Sequence, residues 1–366
     1  MAGTFTGRNF GWLPQERAEA VRQFARVIRE DTGADGQAPY AALLQGVDIA
    51  TASDEKILSA CARLVADHLR TLRFSRDAAG LHDGSSYDAL LALNRLPRAP
   101  APGEAPARYA RRLHEAVAAL KVPRFVDDPA RRLSRHDQPF RFGPQELEGM
   151  RIFFRGSIGY VRTASAGNCA ECHVPPHFTD RSFHNTGAAQ DAYDAVHGEG
   201  AFMKLDVPAL VARNAGPDRW LPPSARHPRA GGVFMVSPAK DTPGRADLGL
   251  WNVYANPDLP APQALIEWKL NPEGRLSPDG VLALALARFK TPGLRSLGQS
   301  APYLHHGRLR TIKEVLQFYK RMSDLAREDG MRNAPLEYAA MHLPEADIAP
   351  LAAFLRALNE DYAPSR

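Results

Sequence analysis

The stretch GNCAECHVPPHFTD, residues 167–180, limits what this chain can fold into more than any other feature. It holds Cys169 and Cys172, two of only 3 cysteines, with His173 directly after the second. Two thiols at that spacing, followed at once by an imidazole, suit the two vinyl groups of a porphyrin and the iron beneath them. The pattern is that of a c-type haem attachment site. His173 would be the proximal iron ligand. Zinc is the competing use of such thiols, but it needs a fourth ligand and usually a second paired knuckle, which the sequence lacks. Three cysteines cannot build a disulfide framework, and Cys61 is left alone.

Around this motif the apolar spacing is helical. ERAEAVRQFARVIRED aligns Ala18, Val21, Phe24, Ala25 and Ile28 on one stripe, and DEKILSACARLVADHLRTL aligns Ile57, Cys61, Leu64, Val65 and Leu69. That spacing predicts a buried face carrying Cys61 as an inert core thiol. LPRAPAPGEAPA, residues 96–107, reads as a connector, and RYARRLHEAVAAL as a helix after it. At residue 143 the pattern restarts with FGPQELEGMRIFFRG, where Pro144 suits a first helical turn. LPEADIAPLAAFLRALNEDY closes the chain, with Ile348, Leu351, Phe354, Leu355 and Leu358 on one stripe. An early helix, the attachment motif and a terminal helix follow the order of a cytochrome c domain. The expected fold is mainly α, with cytochrome c-type helical haem packing and long irregular loops. The expected division is an N-terminal helical domain over residues 1–142 and a haem domain over 143–366. Between 201 and 300 lie 13 of the 30 prolines, which predicts a long irregular region of the kind that is usually functional.

Charge excludes one class of partner. Lys and Arg number 46 against 41 Asp and Glu, a net of +5, and no run is dense enough to track nucleic acid. An acidic protein partner, or no specific partner, suits this balance better. No apolar run approaches the roughly 20 residues of a membrane span, so none is expected. The first twenty residues show no basic segment, apolar core or cleavage site of an export signal.

The sixth iron position would decide the chemistry, because methionine raises the potential, tyrosinate favours ferric iron and an open site admits peroxide. Tyr319, Met322, Met331 and Met341 all lie downstream of the motif, and composition does not choose among them.

GNCAECHVPPHFTDRSFHNTG and FKTPGLRSLGQSAPYLHHGRLRTIKEVLQFY resemble the second haem segment and the hallmark block of the bacterial di-haem cytochrome c peroxidases, in particular their MauG-like branch. NFGW at 9–12 is similar to that family's phenylalanine-tryptophan block. The resemblance implies a periplasmic haem oxidoreductase that reduces hydrogen peroxide or uses it to oxidise a redox protein partner. It implies Tyr319 as distal ligand beside His173 on the iron, and Trp12 as an electron relay. It places Glu30, or Asp31, over a peroxide-binding haem as general base. Thr291 and Pro292 would offer carbonyl oxygens to a calcium ion. His305 and His306 would lie beside the haem edge, and Arg295 and Arg308 are expected partners for its propionates. The family's first haem motif precedes the tryptophan block by tens of residues, whereas here 11 residues precede Trp12. Two expectations follow: the given chain starts downstream of an export signal and a first haem segment, or the protein holds one haem. In the second case it would be a monohaem electron-transfer protein without peroxidase activity.

Overall fold

The computed structural model describes residues 14–31, 39–44, 46–156, 165–224, 226–259 and 263–361. The restart at 143 becomes a helix over Pro144–Phe154, whose Glu146 carboxylate accepts from the Gly143 N–H. Its apolar face, Leu147, Met150, Ile152, Phe153 and Phe154, is buried. Against it packs the Glu345–Arg356 helix, which follows Pro344 and buries Ile348, Leu351, Phe354 and Leu355. The two backbones nearly touch at Gly149. A Cβ there would sit 1.9 Å from the Pro350 carbonyl oxygen and 2.9 Å from Phe354 Cβ, so only glycine permits this approach. A third helix, Ile312–Arg327, packs on Glu345–Arg356. It starts with a reciprocal cap, in which Thr311 Oγ1 accepts from the Glu314 N–H and the Glu314 carboxylate accepts from the Thr311 N–H.

These helices enclose an aromatic core. Phe153 and Phe354 lie 5.2 Å apart, Phe178 stands edge-on to Phe153 at 5.7 Å, and Tyr87 stands edge-on to Phe178 at 5.4 Å. Tyr87 from the Ser86–Leu93 helix and Tyr109, Leu113 and Val117 from Pro106–Ala118 belong to this same core. Residues on both sides of position 142 therefore share it. The connector at 96–107 is pinned: Arg112 ion-pairs with Glu104 and donates to the Ala99 carbonyl, and the Tyr109 hydroxyl donates to the Pro97 carbonyl. A second core, built from residues 189–287, gathers Phe202, Phe234 and Trp251. A third joins Ala25 and Ile28 of the Pro14–Glu30 helix to Leu44, Ile57 and Ala60.

Two sequence expectations change at the N-terminal end. Leu64, Val65 and Leu69 are 40%, 57% and 58% exposed, because the Asp54–Thr71 helix meets Pro14–Glu30 only along its first turns. Ala18 is exposed, and Cys61 is half-buried at the edge of the small core. An antiparallel hairpin not expected from the sequence, Val126–Arg132 with Pro139–Phe142, is paired Val126 to Phe142 and irregular between Asp128 and Arg132. A second short ladder joins Phe183–His184 to Phe289–Lys290. Residues 201–300 form short helices, Leu210–Ala215, Pro217–Trp220, Gln263–Leu270 and Pro278–Ala285, joined by irregular chain. The protein is mainly helical. Among the described residues no helix is long and apolar enough to cross a membrane.

Candidate functional site

The segment Cys169–His173 folds as a single tight turn. Asn168 takes the left-handed conformation at φ 50°, which asparagine tolerates better than most residues, and a short 3₁₀ turn follows over Cys169–Glu171. The His173 N–H then donates to the Cys169 carbonyl at 2.8 Å. This winding puts positions 169, 172 and 173 on one side of a helical turn, and all three side chains line one cavity of about 430 Å³. Gly167 seats the turn against the Pro144–Phe154 helix, since a Cβ there would fall 2.4 Å from the Ile152 carbonyl oxygen.

His173 is buried, and its Nδ1 lies 3.0 Å from the Phe178 carbonyl oxygen. A carbonyl only accepts, so Nδ1 carries the proton and Nε2 keeps its lone pair. Burial holds the imidazole below its ordinary pKa and so neutral. Phe178 reaches this position at φ 55°, a left-handed conformation that costs a bulky residue about 1–3 kcal/mol. Its ring, locked among Phe153, Tyr87 and Phe354, holds the backbone there. The loop beyond is tied down as well. Thr179 Oγ1 donates to the Thr291 carbonyl at 2.8 Å, and His184 Nε2 meets the Asp180 carboxylate at 2.7 Å. Burial pushes the Cys169 thiol up to about 12 and Cys172 higher still, so both are neutral thiols.

A second wall comes from Ile312, Val315, Leu316 and Tyr319 on the Ile312–Arg327 helix, and Tyr338 and Met341 line the cavity too. Of the four residues offered by sequence as a sixth ligand, the structure brings Tyr319 and Met341 to the cavity and not the other two. Met322 instead packs under Gly187, where a Cβ would lie 2.3 Å from its methyl carbon, and Met331 lies in the aromatic core. Tyr319 is held as a neutral phenol by burial, with its ring 5.5 Å from that of Tyr338. Sequence reasoning passed over Tyr338. Its signal was one turn of spacing, three residues before Met341. The two walls are joined where Asn168 Nδ2 donates to the Glu337 carbonyl at 2.8 Å.

His305 lines the cavity, stacked on Phe289 at 3.7 Å, with His306 beside it at 4.6 Å. Burial drives His305 down to about 3 and Asp247, whose Oδ2 is 3.9 Å from it, up to about 6. Thr291 and Pro292 line the cavity too, but the Thr291 carbonyl is engaged by Thr179. Among the described residues no group of three or more His, Cys, Asp or Glu gathers into a metal site. Arg295 does not line the cavity as expected. It is buried, bonded twice to Asp88 at 2.9 Å, to Glu360 at 3.4 Å and to the Pro176 carbonyl at 2.8 Å. Arg308 is half-exposed and faces Asp191 at 3.8 Å. Glu30 lies at the exposed end of the Pro14–Glu30 helix, ion-paired with Arg26 at 2.9 Å and away from the cavity wall. Asp31, one residue on, is likewise absent from that wall. Trp12 lies outside the described residues. No family model matches the chain, and no curated protein matches it.

Proposed function

We propose that this protein is a c-type haem oxidoreductase, its porphyrin held by thioethers to Cys169 and Cys172 and its iron by His173 Nε2. One observation carries the reading: two neutral thiols and an imidazole with its proton fixed on the far nitrogen share one wall of an apolar cavity. Its volume of about 430 Å³ lies within the roughly 300–1,000 Å³ of cofactor sites. Each thioether would form by adding an S–H across a vinyl double bond, with nothing released. Bound haem would supply one-electron redox chemistry and, with an open iron position, chemistry with peroxide.

The residues themselves do the positioning. Phe178 fixes the imidazole plane through its carbonyl, as outer partners of ligating histidines do. Tyr319 or Met341 offers an oxygen or a sulfur from the cavity lining, and the surrounding aliphatic side chains exclude water. The enclosure by Pro144–Phe154, Ile312–Arg327 and Glu345–Arg356 supports cytochrome c-type packing around the cavity, on a core that residues before 142 share. On this reading the protein works in the periplasm, where c-type haem is attached, as a peroxidase or MauG-like enzyme with peroxide and a protein redox partner. A second reading, a monohaem electron carrier, is favoured by two candidate iron ligands, Tyr319 and Met341, in the cavity lining.

Pyridine haemochrome measured on the denatured polypeptide tests the proposal. Haem that stays with the wild-type chain and is extracted from Cys169→Ser/Cys172→Ser is expected; an extractable or absent haem in the wild type defeats it. The same preparation decides between the readings. Bleaching or new bands with hydrogen peroxide point to the enzyme, and an inert spectrum with one haem per chain points to the carrier.

A further inference from the structure

We infer that the surface around Trp220, carrying Arg219, Arg226 and Arg229, is where an acidic one-electron donor protein docks and passes its electron toward the cavity; the inference rests on the haem reading above. Arg219, Arg226 and Arg229 are all exposed; Asp218 is the acid beside them in sequence, and Arg226 also lies 3.8 Å from the buried Asp258 carboxylate, which leaves Arg219 and Arg229 as the main source of positive charge. Hydrogen bonds hold this surface in shape: the Gly231 N–H donates to the Asp218 carbonyl at 2.7 Å, Gly232 to Leu221 at 3.2 Å and Ala230 to His227 at 3.1 Å. Arginines on one fixed surface make a positive field that steers and orients an acidic partner.

Trp220 sits within this field, half-buried, with the Arg219 guanidinium 4.1 Å from its ring centre. Its indole stacks on Phe234 at 5.7 Å with the planes 7° apart, and Phe234 stands edge-on to Trp251 at 5.1 Å. Phe234 and Trp251 are both 1% exposed. One residue from Trp251, the Leu250 N–H donates to the Arg288 carbonyl at 3.0 Å. Phe289 follows Arg288, and its ring stacks on His305 at the cavity wall. Gly249 makes the junction tight, because a Cβ there would lie 2.9 Å from the Phe289 ring. Ring contacts and one backbone hydrogen bond thus run without a break from an arginine-rich surface to the cavity. Electron tunnelling falls off less through such contacts than across gaps. The step would balance simply: the partner's centre would lose one electron and a bound ferric haem would gain it, with no proton or atom moving. The rings act as bridges and are not consumed.

The test uses the full-length haem-loaded protein and, as probe, a reduced acidic plant-type ferredoxin, with haem reduction followed by stopped flow and binding by calorimetry. The triple variant Arg219→Glu/Arg226→Glu/Arg229→Glu should slow association at low salt by about tenfold or more and flatten its salt dependence. Trp220→Leu should keep the dissociation constant and slow haem reduction at saturating ferredoxin severalfold. Trp268→Leu, which removes a 61% exposed tryptophan elsewhere on the Gln263–Leu270 helix, should match the wild type in both. Wild-type binding by the triple variant overturns the docking surface, and a wild-type saturated rate in Trp220→Leu overturns the path. Failure of the haem reading shows itself separately, as a preparation without covalent haem, and takes the path with it.

Discussion

Replacing Glu360 by Gln should stabilise this protein at neutral pH, although it removes a charge that is paired. Glu360 is 0% exposed, and its carboxylate accepts from the Ser75 N–H at 2.9 Å and from Arg295 at 3.4 Å. Gly84 presses on it so closely that a Cβ there would lie 2.7 Å from the carboxyl carbon. Arg295 is shared, since it also grips Asp88 through two 2.9 Å bonds, and Asp83 adds further negative charge nearby. Burial therefore dominates, and with the repulsion of Asp88 it pushes the Glu360 carboxyl from 4.5 up to about 7. An acid whose folded pKa lies above its unfolded one binds more protons when folded. Its stability contribution is intact below about 4.5 and is lost as pH rises to about 7. At about 1.4 kcal/mol per unit, the whole window is worth about 3 kcal/mol. Glutamine keeps an acceptor for the Ser75 N–H and cannot ionise, so it escapes the loss. Denaturant unfolding at pH 5 and pH 7.5 should show Glu360→Gln gaining about 2 kcal/mol on the wild type between the two conditions. Parallel pH dependence in the two proteins would refute the reasoning.

Gly149→Ala tests the helix contact, and its sign is informative. Alanine normally favours a helix by about 0.5–1 kcal/mol over glycine, whereas a Cβ against the Pro350 carbonyl should instead cost about 1–3 kcal/mol or more. A melting temperature at or above wild type would sink the packing argument. Tyr319→Phe and Met341→Leu, compared by ferric haem absorption, should identify the sixth ligand as the one whose removal shifts the spectrum. If neither does, neither fills the position.

Long periodic stretches were the most legible part of the sequence. The helices after Pro144 and Pro344 bury the faces their spacing indicated, and Cys169, Cys172 and His173 line one cavity. Tertiary choices were not legible. The apolar stripe through Leu64, Val65 and Leu69 looks buried in one dimension, but whether a helix face is covered depends on where its neighbour crosses. Arg295 was assigned by charge alone, and a lone arginine carries no signal that two buried carboxylates from distant segments will claim it. Met322 and Met341 have the same chemistry. Their places in the fold separate them: Met322 is turned toward Gly187 on the Ile312–Arg327 helix, whereas Met341 follows the short Leu336–Ala339 helix and reaches the cavity. The hairpin at 126–142 was hidden because its first strand, VDDPARR, has one half-buried residue followed by six exposed ones, so no alternation marks it.

The cavity has one consequence that concerns the order of events as the chain folds. One part of the lining is laid down by the turn at Cys169–His173, while another, with Tyr319, Tyr338 and Met341, comes much later in the chain. The emerging chain thus offers its thiols well before it can shelter them. Closing so long a loop has an entropic cost that local contacts do not offset. A flat apolar group already bonded to Cys169 and Cys172 would act as a template, giving the late helices a surface to condense on.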